Sequence, residues 1–89
     1  MENVFSVGSV VMSKAGHDEG GLFVVIKVCD SDYVLIADGK VRTLDKPKRK
    51  KIKHLKLIGT VLEEIANKLS TNAEVYDKHI KSALAKCIK

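Results

Sequence analysis

The chain has 89 residues, which suits one domain and leaves no room for a second independent core. Apolar residues make up 45% and charged residues 30%, a globular rather than a disordered balance. Lys and Arg number 16 against 11 acids, giving +5, and no apolar run approaches the ~20 residues of a membrane span. The charge is concentrated. Residues 1–39 hold two Lys and six acids, residues 40–56 nine Lys/Arg and one Asp, and residues 57–89 five Lys and four acids, so the three stretches carry −4, +8 and +1. An anionic partner is the first expectation, with nucleic acid ahead of membrane. Met1-Glu2-Asn3 opens no basic segment followed by an apolar one, so no secretory signal is expected. Cys29 and Cys87 lack C-x-x-C spacing and sit in apolar contexts. Packed, reduced thiols in a cytoplasmic setting fit better than a disulfide frame, with a bridge between the two left open.

The elements follow in chain order. Val7 to Lys14 predicts a short strand, and Ala15 to Gly21, with three Gly, a loop that includes His17, Asp18 and Glu19. Leu22 to Cys29 is the strongest strand, rich in β-branched residues and nearly continuous, so both of its faces should be covered. Asp30-Ser31-Asp32 turns into a strand over Tyr33 to Ala37. Asp38-Gly39 then signals a hairpin, with Val41 to Leu44 pairing back. The lysine run from Lys46 to Lys53 contains Pro47, which lacks a ladder donor, so it reads as a loop or a strand edge. Lys53 to Ile58 alternates as a last strand. After Gly59 the period becomes helical. Thr60-x-x-Glu63 has the form of a capping box, and Val61, Leu62, Ile65, Ala66 and Leu69 make an apolar stripe. Ser70-Thr71-Asn72 breaks that helix. Tyr76, Ile80, Ala83, Leu84 and Cys87 form a second stripe, capped either at Thr71-x-x-Glu74 or near Asp77. The fold class is therefore mainly β: a small five-stranded barrel over residues 1–58, then two short C-terminal α-helices over 59–89 packed on it within one domain.

Val7 to Ile26, with Gly8 opening the first strand, Gly16 in the loop and Gly20 before the second strand, resembles a KOW motif. The continuation Tyr33 to Gly39, with the Asp38-Gly39 hairpin and then Val41-Arg42, is similar to the KOW ribosomal proteins of the L-fourteen-e type. The lysine run and helix pair also resemble small stand-alone bacterial KOW proteins. The resemblance implies an SH3-like barrel that binds RNA, most often ribosomal RNA, without catalysis. Two positions depart from the pattern: Ser9 stands where Arg is common, and the first loop carries two acids that would repel phosphate.

The residue types point the same way. Lys40, Arg42, Lys46, Lys48, Arg49, Lys50, Lys51, Lys53 and Lys56 form the candidate phosphate-binding surface, with Lys14 and His54 as further candidates. Seven of the nine are Lys, point charges without the planar fork that reads guanine, so they should position the protein on a backbone and carry little sequence information. The four rings are Phe5, Phe23, Tyr33 and Tyr76. Phe23 and Tyr76 read as core, and Phe5 and Tyr33 alone make a poor stacking platform, which favours structured RNA over single strands. No Trp is present for a methyl-lysine cage or a proline-rich groove. His17, His54 and His79 have no ligand spacing, so no metal and no cofactor are expected. The glycine loop leads into a strand and lacks a Lys-Ser/Thr pair, which excludes a nucleotide loop. Glu63 and Glu64 suit a helix start. The expectation is a non-catalytic RNA-binding protein in translation or ribosome function, with ribosomal proteins as further neighbours and neither a membrane nor a small-molecule substrate. The alternative is a protein-interaction module of the kind found as KOW domains in transcription elongation factors.

Overall fold

The computed structural model describes residues 5–14, 16, 20–71 and 74–87. Met1 to Asn3, His17, Asp18, Glu19 and Asn72, all used in the sequence reading, lie outside the described residues. Five strands, β1 (Ser9–Ser13), β2 (Leu22–Val28), β3 (Tyr33–Ala37), β4 (Lys48–Lys51) and β5 (Leu55–Val61), form one antiparallel sheet in the order β4-β3-β2-β1-β5. A single 3-10 turn, Ile52–His54, joins β4 to β5. Two helices follow, α1 (Glu63–Ser70) and α2 (Asp77–Ala85). Among the described residues no ladder joins β4 to β5, so the strands do not close into the expected barrel.

The sheet has a core on each face. Val11, Phe23, Val25, Val34, Ile36 and Leu55 pack on one side. On the other, Val10 and Val24 pack against Ile65 of α1 and Ile80 and Leu84 of α2. The near-continuous apolar run of β2 follows from this: Phe23 and Val25 serve one core, Leu22, Val24 and Ile26 the other. Full burial of side chains such as Ile36 and Ile80 contributes about 1.5–3 kcal/mol each.

Four local expectations are corrected. Val41 to Leu44 is not a strand. The Asp38 and Gly39 amides both donate to the Arg42 carbonyl, the Asp38 carboxylate accepts from the Lys40 and Arg42 amides, and Leu44 N–H donates to Asp77 Oδ1 at 2.7 Å. The backbone of this stretch is thus engaged locally, and Val41 is 73% exposed. The partner of β3 is the lysine run itself, with Tyr33 opposite Lys51, Val34 opposite Lys50, Leu35 opposite Arg49 and Ile36 opposite Lys48. Second, Thr60 belongs to β5 and caps nothing. Pairing of Ser9 with Val61, and donation from Leu62 N–H to the Gly8 carbonyl at 2.7 Å, carry the ladder past it, and α1 starts at Glu63 with no side-chain cap. Third, Tyr76 is exposed and precedes α2, which starts at Asp77. Fourth, Cys29 is an exposed free thiol rather than a packed one, while Cys87 is half-buried and also free.

Candidate nucleic-acid interface

The basic residues fall into two groups. The first gathers around the 3-10 turn. Ile52 N–H donates to the Asp32 carbonyl at 2.8 Å, and Lys14 N–H donates to the His54 carbonyl at 2.8 Å. Three residues therefore span from the start of β3 to the end of β1. They bring Lys51, Lys53, His54 and Lys14 together, with Lys56 next on β5. Lys14, Lys53 and Lys56 are exposed, and Lys51 and His54 are half-buried. Among the described residues, no carboxylate lies within ion-pair distance of Lys48, Lys51, Lys53 or Lys56.

The second group, Lys40, Arg42 and Lys46, lies on the 38–47 connection beyond the far end of β3, roughly 13 Å along the strand from Tyr33. Lys40 and Lys46 are exposed there, and Arg42 is half-buried. This connection is tied to α2 through Asp77.

The pleat divides β4. Lys48 and Lys50 pair with Ile36 and Val34, which face the inner core. Lys50 is only 9% exposed, so it does not join the surface expected of it. Its stem lies inward and its Nζ reaches the first loop, 3.6 Å from where a Cβ on Gly16 would stand. Arg49 and Lys51 take the opposite face, beside Tyr33. The Arg49 guanidinium carbon stands 3.8 Å from the Tyr33 ring centroid and the Lys51 Nζ 5.9 Å from it. Asp30 Oδ2 lies 3.9 Å from Arg49, and Asp30 Oδ1 accepts the Asp32 and Tyr33 amides at 2.8 and 2.9 Å. Lys27, exposed, completes the same row, because it pairs with Leu35, which pairs with Arg49.

Tyr33 and Lys27 were not among the contacts read from sequence. Pairing Val41 to Leu44 with β3 leaves no reason to place Arg49 and Lys51 beside Tyr33, as the observed register does. The usable signal is the odd-position pair Arg49 and Lys51 in the lysine run, set against an aromatic at a strand start.

Two of the glycines, Gly8 and Gly39, sit where helices approach. A Cβ on Gly8, at φ 93°, would come within 2.8 Å of the Ala66 Cβ on α1. A Cβ on Gly39, at φ 80°, would run into the Asp77 carbonyl on α2. Gly20, by contrast, faces open space. Ser9 is buried, and its hydroxyl accepts the Ser6 amide at 3.1 Å, so that position presents nothing outward. On the helical side, Tyr76 donates to Glu74, and this hydrogen bond holds its phenol above the usual tyrosine range. Among the described residues no helix is long and apolar enough to cross a membrane.

No protein-family model matches the chain. It is similar to a protein of Bacillus subtilis (strain 168) named "Putative ribosome-binding protein YbzG", with 33% identity over 69 residues, covering 78% of this chain and 93% of that relative. The identity extends over nearly all of the relative, so the chain belongs to the same family as this Bacillus subtilis protein.

Proposed function

We propose that the chain is a non-catalytic RNA-binding protein of the cytoplasm that acts on ribosomal RNA. In this reading it is a KOW protein, its five-stranded sheet is an SH3-like scaffold, and the outward-facing cations of β4, the 3-10 turn and the start of β5 contact phosphates. The observation that carries it is the strip Lys51, Lys53 and Lys56, exposed or half-exposed and without carboxylate partners among the described residues, on a backbone held by sheet pairing at Lys51 and Lys56 and by the 3-10 turn between them. The name of the Bacillus relative supports the ribosomal assignment. Lysine contacts to phosphate position a protein on a folded RNA and displace condensed cations.

The test is a salt titration of binding to protein-free ribosomal RNA. With about six phosphates engaged, log affinity should fall against log salt with a slope of roughly −4 to −5. A flat response overturns the reading. A second reading, docking on a ribosomal protein, is favoured by the groove of about 580 Å³ between α1 and α2, where Leu62, Ile65 and Ala83 meet a Val61 that is 49% exposed. Binding to intact ribosomes but not to protein-free RNA would select it.

A further inference from the structure

We propose that the Tyr33–Arg49 stack is a subsite for a single unpaired RNA base, which lies on the exposed face of the guanidinium. The inference rests on the RNA-binding reading and deepens it. Four cations of similar type make up β4, and its single Arg is the one over the ring. Lys51 is directly opposite Tyr33, yet its Nζ stands off at 5.9 Å, whereas Arg49 reaches diagonally across the ladder to 3.8 Å. At that distance the guanidinium carbon is in van der Waals contact with the ring.

The guanidinium is also held from a second side. Asp30, fixed by the Asp32 and Tyr33 amides, offers its other oxygen at 3.9 Å. Ring and carboxylate together restrict a side chain that would otherwise sample many rotamers, so little freedom remains to be lost on binding. An exposed cation–ring contact and an exposed ion pair each add little to folding. The Arg49 side chain nonetheless stays 57% exposed. A planar cation with one face on an aromatic and the other open is a stacking surface for a nucleobase, and such stacking tolerates any base because every base has a π-face. Lys51 beside it and Lys27 along the row supply charge for the phosphates on either side. A base inside a helix cannot reach such a platform, so the ligand is a bulged or looped-out nucleotide in an otherwise paired RNA.

The probe is a pair of 16-base-pair RNA duplexes, one perfect and one with a single bulged 2-aminopurine. The full chain should bind the bulged duplex about tenfold tighter and quench its fluorescence. Arg49→Lys keeps the charge and removes the plane. It should abolish the preference and the quenching. Tyr33→Phe should retain the preference and Tyr33→Leu should lose it, with circular dichroism confirming the fold of each. Equal wild-type affinity for the two duplexes, or an undiminished preference in Arg49→Lys, overturns the subsite and leaves RNA binding standing. Absence of salt-dependent binding to either duplex overturns both.

Discussion

Gly39 and Gly8 show how much of the fold rests on single positions. Each has a positive φ, and each lies under a helix that comes closer than a side chain would allow. At Gly39 the obstacle is backbone, the Asp77 carbonyl and the Lys81 amide, which cannot swing away. Asp77 itself holds the Leu44 amide, which ties α2 to the 38–47 connection. Gly39→Ala is expected to cost about 2 kcal/mol or more, lowering the thermal midpoint by roughly 8–16 °C. Gly20→Ala, where the same added methyl meets open space, should show only the backbone part of that loss. Thermal denaturation of both variants checks the difference. The Asp38-Gly39 pair was conspicuous in the sequence as a tight turn. The structure gives Gly39 a different task, because what it accommodates is 38 residues away in the chain. Spacing along a sequence does not encode that approach.

At the level of elements, legibility tracked burial. β1, β2 and β3 and both helices were readable because their apolar residues recur at strand or helix period and face the two cores. β4 could be read only as a loop or a strand edge, because Lys-Arg-Lys-Lys has no apolar member and Pro47 stands before it, and the structure makes it the edge strand. It is a strand through pairing with β3, and its inward positions are filled by lysine stems. Val41 to Leu44 looked the better partner on composition. Local hydrogen bonds to Asp38 and the tie to Asp77 removed it from the sheet. The candidate site followed the same pattern one step later: the cations could be named from the sequence, but which of them turn outward, and that Tyr33 stands beside them, could not be read without the register. The two helices cover one face of the sheet through Ile65, Ile80 and Leu84. Ile80→Ala should cost about 2–5 kcal/mol by leaving a cavity over Val10 and Val24. Val41→Ala, at an exposed position, should stay within about 0.5 kcal/mol. Urea unfolding of the pair measures both.

For the whole molecule, the placement of charge matters more than its total. A stretch carrying +8 follows one carrying −4, and the fold splits those cations between the 3-10 turn and the 38–47 connection. If the group at the turn makes the phosphate contacts, then Lys51→Gln with Lys53→Gln should flatten the salt slope by about 1.5, since each phosphate contact contributes roughly 0.7–0.9. Lys68→Gln on α1, whose ammonium already faces Glu64 at 3.6 Å, should leave the slope unchanged. Equal effects from the two substitutions would mean that only net charge counts.

The unclosed sheet has one more outcome. β4 ends the strand order, so its outer rim offers amide and carbonyl groups to any chain that can lie alongside. A sister molecule that paired β4 to β4 would bring an identical row of four cations against this one, and like charges facing across a ladder oppose pairing. The lysines that make the strip attractive to a polyanion thereby also discourage edge-to-edge pairing of two copies through β4.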